Sequence, residues 1–374
     1  MKIIFGGAFN PIHDEHVNMI KHLLSLKEAQ KVVVLPSANP PHKSCDTSFD
    51  QRVDMIKLAL RGLDNIEICD IENKDAAKHY SCEVLPKLKD LYGDIAFVIG
   101  GDSLEDFSTW KNPDEIIKIC PLYVFTRGES NKFDKALEFW RDKGAEIKVC
   151  DYHPAKISST LIRYNSQLGI FDGVCDGVRD YIIENNLYNK YADMIKKLKD
   201  NIPVHTFEHC SRTAYYALNI NYKLDLALDN DKVFAAALLH DCAKSMCHMP
   251  HSTAGIPDDA IATPVEHQFL GAIVAKEEYG IEDMDVLEAI KYHTTGKKSM
   301  NKLQKLIYCA DMLEFGRQYA EVDYLRNCIE ISLDRGYCEC VMAQYEFLKQ
   351  KGGDIYHLTL DAVQDVENMI NIIN

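Results

Sequence analysis

The hydrophobic pattern changes character about halfway along the chain. In the first half, short apolar runs rich in Val and Ile alternate with longer stretches whose apolar residues recur every three or four positions. The runs predict strands over residues 2–5, 31–35, 66–70, 94–99, 122–126 and 146–150. The longer stretches predict helices over residues 16–26, 49–60, 82–91 and 133–143. In the second of these, Met55, Ile56, Ala59 and Leu60 recur at helical spacing. Such alternation implies an α/β doubly wound parallel sheet, helices on both faces and ligands at the carboxyl ends of the strands.

Past residue 190 the strand signal disappears. Helical periodicity covers residues 207–220, 232–243, 265–278, 285–292 and 302–315 and continues to the end. The change falls in the polar stretch 187–203, which closes on Ile202-Pro203. Two domains are therefore expected, a Rossmann-like one over residues 1–190 and an all-α one over residues 191–374. No internal repeat or low-complexity tract interrupts either half.

Composition narrows the partners. Hydrophobic residues make up 47% of the 374, enough for a core in each half. A formal net charge of −15 argues against general affinity for nucleic acid. Small phosphate ligands stay open, because a few backbone N–H groups suffice to hold them. The apolar run at residues 1–5 is too short for a signal-peptide core, and no apolar stretch approaches the length of a membrane span. A cytoplasmic protein with no membrane partner is expected. The 13 cysteines are scattered and read as reduced thiols. Cys338 and Cys340 lack a second close pair that would make a zinc site, and read as thiols too.

The first cluster of chemistry-bearing residues is Gly6-Gly7-Ala8-Phe9-Asn10-Pro11-Ile12-His13, between a predicted strand and a helix. Gly6 and Gly7 let backbone approach a phosphate, and the following helix offers free N–H groups. His13 and His16 share a helix face, where imidazoles can donate to a triphosphate and to charge building on it. Taken alone, the segment reads equally as a turn and a capped helix with two surface histidines. Further polar groups follow other strands: Asn39-Pro40-Pro41-His42-Lys43, Gly100-Gly101-Asp102-Ser103 with Trp110 beyond, Thr126-Arg127-Gly128, and Ser158-Ser159-Thr160-Leu161-Ile162-Arg163. All converge on one sheet edge.

This ordered set resembles the nicotinate-nucleotide adenylyltransferase family from residue 2 to about residue 188. The resemblance implies that His13 and His16 serve catalysis and bind ATP, together with Gly6, Gly7, Lys43, Asp102, Ser158, Ser159, Thr160 and Arg163. It implies that Tyr80, Ser81 and Trp110 hold the second nucleotide, with Trp110 stacked on the nicotinate ring. The implied reaction is attack of the nicotinate mononucleotide phosphate on the α-phosphate of ATP, with Mg²⁺ on the phosphates and pyrophosphate leaving. Two positions depart from the family pattern. Ala8 replaces the usual hydroxyl residue, and Glu15 stands where the family has glycine. A carboxylate facing an anionic substrate is expected to slow transfer. On a second reading, this half has lost catalysis and acts as a nucleotide sensor.

The second cluster lies in the helical half. His240-Asp241 closes the apolar run of residues 233–239 and supplies a nitrogen and a carboxylate suited to one metal. Lys244, one predicted turn beyond His240, is placed to hold a phosphate or a leaving group. His209, His267, His293 and Asp311 lie on or beside other predicted helices. Each histidine alone reads as an ordinary helix residue.

Their order resembles the HD phosphohydrolase superfamily, and the spelling its bacterial symmetrical diadenosine tetraphosphate hydrolase branch. The matching pieces are Phe207-Glu208-His209, His240-Asp241-Cys242-Ala243-Lys244, His293-Thr294-Thr295-Gly296, and Ala310-Asp311 followed by Glu314 and Arg317. The resemblance implies that His209, His240, Asp241, His267, His293 and Asp311 hold one or two divalent metals that share Asp241, with iron expected, and that activate water. Lys244 and Arg317 would neutralise phosphate oxygens, although Arg317 alone reads equally as a surface residue. The implied substrate is diadenosine tetraphosphate, cleaved to two ADP. The expected partners are thus ATP, nicotinate mononucleotide and dinucleoside polyphosphates, with homo-oligomerisation open. A pure binding protein is the competing class; the complete ligand set argues against it for this half.

Overall fold

Alternation along the Val- and Ile-rich runs sorts their side chains onto two faces of one sheet. In the computed structural model, Ile3, Val32, Val34, Ala96 and Val98 fill one face, and Ile4, Val33, Ile95, Phe97 and Ile99 the other. The structure describes residues 1–39, 45–74, 79–126, 130–248 and 252–373. Contacts divide the chain into two units, Met1–Lys190 and Tyr191–Asn374.

The first unit is built on β1 (Lys2–Gly7), β2 (Lys31–Pro36), β3 (Ile66–Ile68), β4 (Ile95–Gly100), β5 (Leu122–Phe125) and β6 (Ile147–Val149). All paired neighbours run parallel, in the order β3-β2-β1-β4-β5-β6. The order reverses between β1 and β4, and the crevice beyond their carboxyl ends is where such sheets bind ligands. The helices are α1 (Asp14–Ser25), α2 (Phe49–Ala59), α3 (Ser81–Tyr92), α4 (Gly101–Glu105), α5 (Pro113–Ile119), α6 (Asn131–Asp142), α7 (Ser159–Gln167) and α8 (Asp176–Glu184). Ile20 and Leu23 of α1, Met55 and Ile56 of α2, and Val178 and Ile182 of α8 cover one face, and Val84, Leu85 and Leu88 of α3 pack on the other.

The second unit contains α9 (Ala192–Asn201), α10 (Val204–Lys223), α11 (Asn230–Leu239), α12 (Glu266–Tyr279), α13 (Met284–Lys291), α14 (Lys302–Leu313), α15 (Val322–Ile331), α16 (Leu333–Lys351) and α17 (His357–Ile373). α11 is the central rod: every residue from Val233 to Leu239 is buried, as expected of a helix apolar on all sides. Asp229 caps its start by accepting from the Asp231 N–H. Among the described residues, no helix is long and apolar enough to cross a membrane.

The sequence pattern ran α11 through residue 243, but the helix ends at Leu239 and a turn carries His240, Asp241 and Lys244. Lys244 therefore does not sit a helical turn from His240; its Nζ lies 2.6 Å from Asp241 Oδ2. The expected third and sixth strands are shorter than drawn, and α4, α5 and α8 were not anticipated. α5 has Pro113 at its first position and covers barely two turns, too short for periodicity to register.

Candidate active sites

The segment joining β1 to α1 is held from both ends. Gly7 leaves little room for a side chain: a Cβ there would lie 3.0 Å from the Phe9 ring, which would have to give way. Phe9, at φ 48, packs edge-on against His16 with ring centroids 5.1 Å apart. His13 caps α1 reciprocally with His16: the His16 N–H donates to His13 Nδ1 at 3.4 Å, and the His13 N–H to His16 Nδ1 at 3.2 Å. The rings stack with centroids 3.6 Å apart. An Nδ1 that accepts carries no proton, so each ring proton sits on Nε2. The pair is thereby prepared as donors from the helix start.

Beside them opens a cavity of about 750 Å³ at the carboxyl ends of the strands. Gly6, Gly7, His13, His16, Tyr80, Ser81, Asp102 and Trp110 all line it. Trp110 rests against Phe107 and Phe97 at ring-centroid distances of 5.1 and 6.4 Å. Lys111 Nζ stands 4.4 Å from the Tyr80 ring centroid and pairs with Glu83. Glu72 closes another wall, accepting from Ser37 Oγ at 3.0 Å and the Ala38 N–H at 3.1 Å. Burial outweighs these bonds and raises the Glu72 carboxyl above its ordinary value.

The Ser158–Arg163 signature is seen in a bracing role. Ser158 caps α7, Ser159 Oγ donates to Pro11 O at 2.8 Å, and Arg163 Nη1 donates to Asn10 O at 2.8 Å. Arg163 Nη2 also reaches Thr160 Oγ1 at 3.3 Å. Asn10 is buried, and its Oδ1 accepts from Thr47 Oγ1 at 2.7 Å and from the Tyr188 hydroxyl at 2.8 Å. Lys43, Arg127 and Gly128 lie outside the described residues.

Two residues here have partners that the sequence did not reveal. Arg52 is 1% exposed, and its guanidinium donates to the carbonyls of Ala8, Ser37 and Ala38 at 2.7, 2.7 and 3.2 Å. It ties the loop after β1 to the loop after β2. The available signal was its place one turn before Met55 and Ile56, on an otherwise apolar face. Glu15 is buried, and its carboxylate accepts from Asn18 Nδ2 at 3.0 Å, from the Tyr152 hydroxyl at 2.9 Å and from the Ala155 N–H at 2.9 Å. The carboxylate expected to confront a triphosphate is already surrounded by donors.

In the second unit, His209 from α10, Asp311 from α14, His267 from α12 and the turn residues His240, Asp241 and His293 meet in one place. His209 Nε2 lies 3.0 Å from Asp311 Oδ1 and 3.1 Å from His240 Nε2. Asp241 faces both ways. Its Oδ2 is 3.7 Å from His240 Nε2 and 3.9 Å from His209 Nε2, while Oδ1 is 3.5 and 3.4 Å from His267 and His293 Nε2. His240, His267 and His293 each point Nδ1 at a backbone carbonyl, of Ala237, Pro264 and Ile290, at 2.7 to 2.8 Å. That fixes the proton on Nδ1 and turns the Nε2 lone pairs inward. Burial lowers His240 to about 3 and His267 to about 4, so both stay neutral. At Asp241, burial opposes charge but is outweighed by its surroundings, with the Lys244 ammonium 2.6 Å from Oδ2, and the carboxyl lies well below the usual range.

The donor set suits a divalent cation. His267 and His293 Nε2 lie 3.3 Å apart, with the Thr294 hydroxyl 3.0 Å from His267 Nε2, and buried Asp241 Oδ1 makes no hydrogen bond among the described residues. A borderline metal satisfies imidazole and carboxylate together.

Around the cluster, Arg317 bonds Asp311 through Nη2 and reaches the Asp311 carbonyl from Nε at 2.8 Å, so it is no free surface residue. Lys244, Arg317 and Arg212 line an adjoining cavity of about 500 Å³. Three residues support the cluster; Glu314 belongs to the matching motif without a role of its own there, and the sequence does not single out Gln268 or Arg212. Glu314 accepts from His209 Nδ1 at 3.1 Å and Arg212 Nε at 2.7 Å. Gln268, fully buried, accepts at 3.2 Å from the N–H groups of Thr294 and Thr295 and so holds the turn behind His293. Arg212 stands three residues after His209 on α10, a spacing that could have marked it.

A parallel sheet with a nucleotide-sized crevice, joined to a helical unit with an inward His and Asp cluster, defines a nucleotidyltransferase-type fold followed by an HD-type one. Comparisons agree. Residues 4–165 match the cytidylyltransferase-like family model and residues 206–316 the HD domain model. A probable nicotinate-nucleotide adenylyltransferase of Clostridium tetani is 37% identical over 203 residues, 51% of this chain and 97% of that protein. A probable nicotinate-nucleotide adenylyltransferase/Ap4A hydrolase of Mycoplasma genitalium is 28% identical over 351 residues, 90% of this chain and 95% of that protein. Among solved structures, a predicted HD superfamily hydrolase involved in NAD metabolism from Clostridium acetobutylicum is 30% identical, with TM-score 0.45, over 48% of this chain and 98% of that one. The chain belongs to the nicotinate-nucleotide adenylyltransferase family through its first half, and carries an HD domain in its second.

Proposed function

We propose that the chain is a bifunctional nucleotide enzyme. Residues 1–190 form a domain that transfers the adenylyl group of ATP to nicotinate mononucleotide. Residues 191–374 form an HD phosphohydrolase domain that cleaves diadenosine tetraphosphate to two ADP. The two activities named for the Mycoplasma genitalium relative support this pairing.

In the first domain, the stacked His13 and His16 would donate from Nε2 to the phosphates of ATP, beside Gly6 and Gly7, which line the same cavity. Trp110, Tyr80 and Ser81 would hold the mononucleotide so that its phosphate oxygen attacks the α-phosphorus in line. The bond to pyrophosphate breaks as the new P–O bond forms, and no covalent enzyme intermediate is needed. Positioning and charge stabilisation carry the rate. Mg²⁺ accompanying ATP would screen the phosphate charge. Ser158, Ser159, Thr160 and Arg163 would serve ATP as braces of the loop at Asn10 and Pro11 and at the start of α7, and Asp102 from the cavity wall. Lys43 keeps the nucleotide-binding role that the resemblance implies.

In the second domain, His209, His240, Asp241, His267, His293 and Asp311 would hold one or two divalent metals, with iron expected. Such a metal supplies Lewis acidity at phosphorus and lowers the pKa of water. Lys244 and Arg317 stand beside the ligand carboxylates, where they would neutralise phosphate oxygens of the substrate. Water adds to one inner phosphorus and ADP leaves, so both products are ADP.

The observation that carries the reading of this domain is Asp241 facing a pair of histidines with each oxygen. The test is product analysis on diadenosine tetraphosphate with Fe²⁺, Mn²⁺ or Mg²⁺. ADP alone is expected; ATP plus AMP would place the domain in another hydrolase class.

A further inference from the structure

Glu15 occupies the second position of α1 and lines the nucleotide cavity together with His13, His16 and Pro154. Its surroundings are those of a built clamp. One oxygen, Oε2, takes both the Tyr152 hydroxyl and the Ala155 N–H at 2.9 Å, and the other takes Asn18 Nδ2 at 3.0 Å. Asn18 is one turn along the same helix, so it fixes the side chain's direction. Tyr152 and Ala155 belong to the irregular segment between β6 and α7, residues 150–158. The segment is also held at its start, where the Cys150 N–H donates to Val124 O and the Tyr152 ring packs on His22 and Phe125 at centroid distances of 5.6 and 6.2 Å. Further on, His153 Nδ1 lies 3.1 Å from Thr126 O and the Ile157 N–H donates to Ala155 O, and Glu15 joins the Tyr152 hydroxyl to the Ala155 backbone. It ends at Ser158, the cap of α7, directly before Ser159 and Arg163, which brace Pro11 and Asn10.

We infer that Glu15 is a positioning residue: by anchoring residues 152–155 to the start of α1, it sets the cap of α7 and the Ser158–Arg163 braces in the geometry that ATP requires. The charge of Glu15 is not directed at the triphosphate. It is spent on three donors, and the helix start that carries it favours an acid. Tyr152 fits as the donor, since burial and the Glu15 bond both hold its hydroxyl protonated. Where a glycine would offer the Tyr152 hydroxyl and the Ala155 N–H no acceptor, this chain supplies one carboxylate oxygen for both. The anchor also explains how an acid is accommodated against an anionic ligand: the carboxylate is covered on the protein side before ATP arrives.

The inference rests on the adenylyltransferase reading for its kinetics but not for its first readout. ATP binding by calorimetry, without the second substrate, and hydrogen exchange of residues 151–158 are measured on the full chain for wild type, Glu15→Ala, Glu15→Gln and Tyr152→Phe. Glu15→Ala should weaken ATP about tenfold, the order expected for lost charged hydrogen bonds, and deprotect residues 151–158. Glu15→Gln keeps a carbonyl that accepts from Tyr152 and Ala155, and should restore both to near wild type. Tyr152→Phe should fall between. In turnover, KM for ATP should rise in Glu15→Ala while KM for nicotinate mononucleotide stays unchanged. If both Glu15→Ala and Glu15→Gln bind ATP as tightly as wild type or tighter, the side chain acts only as an opposing charge and the clamp is refuted. If Glu15→Gln is as weak as Glu15→Ala with the segment equally protected in both, charge and not anchoring is responsible, and the inference is again overturned. A wild type that binds ATP but transfers nothing would count against the transferase reading alone.

Discussion

Glu314 places its Oε1 3.1 Å from His209 Nδ1, and its Oε2 is held by Arg212 Nε at 2.7 Å. The carboxylate orients an imidazole whose other nitrogen faces Asp311 and His240. Burial opposes charge on Glu314, but His209 and Arg212 outweigh it and lower its carboxyl to about 2. It is therefore an anion throughout the working range. Arg212 lies so close behind that a Cβ on Gly316 would stand 2.5 Å from its Nε.

Such an outer carboxylate typically contributes about 10- to 100-fold to metal affinity. Glu314→Ala should weaken metal binding by that order while His209 remains in place. Gly316→Ala should do so more mildly, by pushing Arg212 aside. Metal titration of the apo protein checks both; unchanged affinity in Glu314→Ala would show that His209 needs no orienting partner.

Arg52 supports a second prediction. Its fully buried guanidinium satisfies three carbonyls from two loops. Removing it leaves those acceptors dry, a loss of about 3 kcal/mol or more. Arg52→Lys should recover only part, because an ammonium cannot present the same planar fork. Denaturant unfolding measures the loss, and ATP affinity should fall in parallel because Ala8 lies in the loop that lines the cavity.

A third concerns pH. Burial raises the Glu72 carboxyl, so the folded state binds this proton more tightly than the unfolded chain does. The group's contribution is then fully favourable below the unfolded value of roughly 4.5 and is lost as pH rises through the raised folded value. Glu72→Gln should be more stable than wild type near pH 7, and the advantage should shrink toward pH 4. Melting temperatures of the two proteins across that range give the sign; a gap that widens on acidification would reverse it.

The two-part architecture was legible because the period of the apolar pattern switches from short β-branched runs to helical repeats near residue 190. That these His and Asp residues belong together was legible from their order along the chain, and the fold brings them within reach of one another. What the sequence hid were side chains whose function is to hold other groups. Gln268 and Arg212 look like any polar helix residues until folding brings a turn or a carboxylate against them, and Glu314, though part of the quoted motif, shows its hold on His209 only in the fold. Glu15 was read by its charge, when its partners Tyr152 and Ala155 lie more than 130 residues away. The end of α11 was also hidden, because the turn of His240 and Asp241 continues the apolar run with residues that suit a helix.

The central claim is that two sites act separately in one chain. The most direct measurement assays pyrophosphate release from ATP with nicotinate mononucleotide, and ADP formation from diadenosine tetraphosphate, in wild type, His16→Ala and Asp241→Ala, with metal content determined on each. Asp241 belongs to the His and Asp cluster and His16 to the stacked pair beside the cavity of the first unit. Asp241→Ala should lose metal and hydrolysis by at least about a thousandfold, as expected when a metal-activated step is removed, and keep adenylyl transfer. His16→Ala should show the converse. Loss of both activities in either folded variant, or hydrolysis that survives without Asp241, would contradict the account.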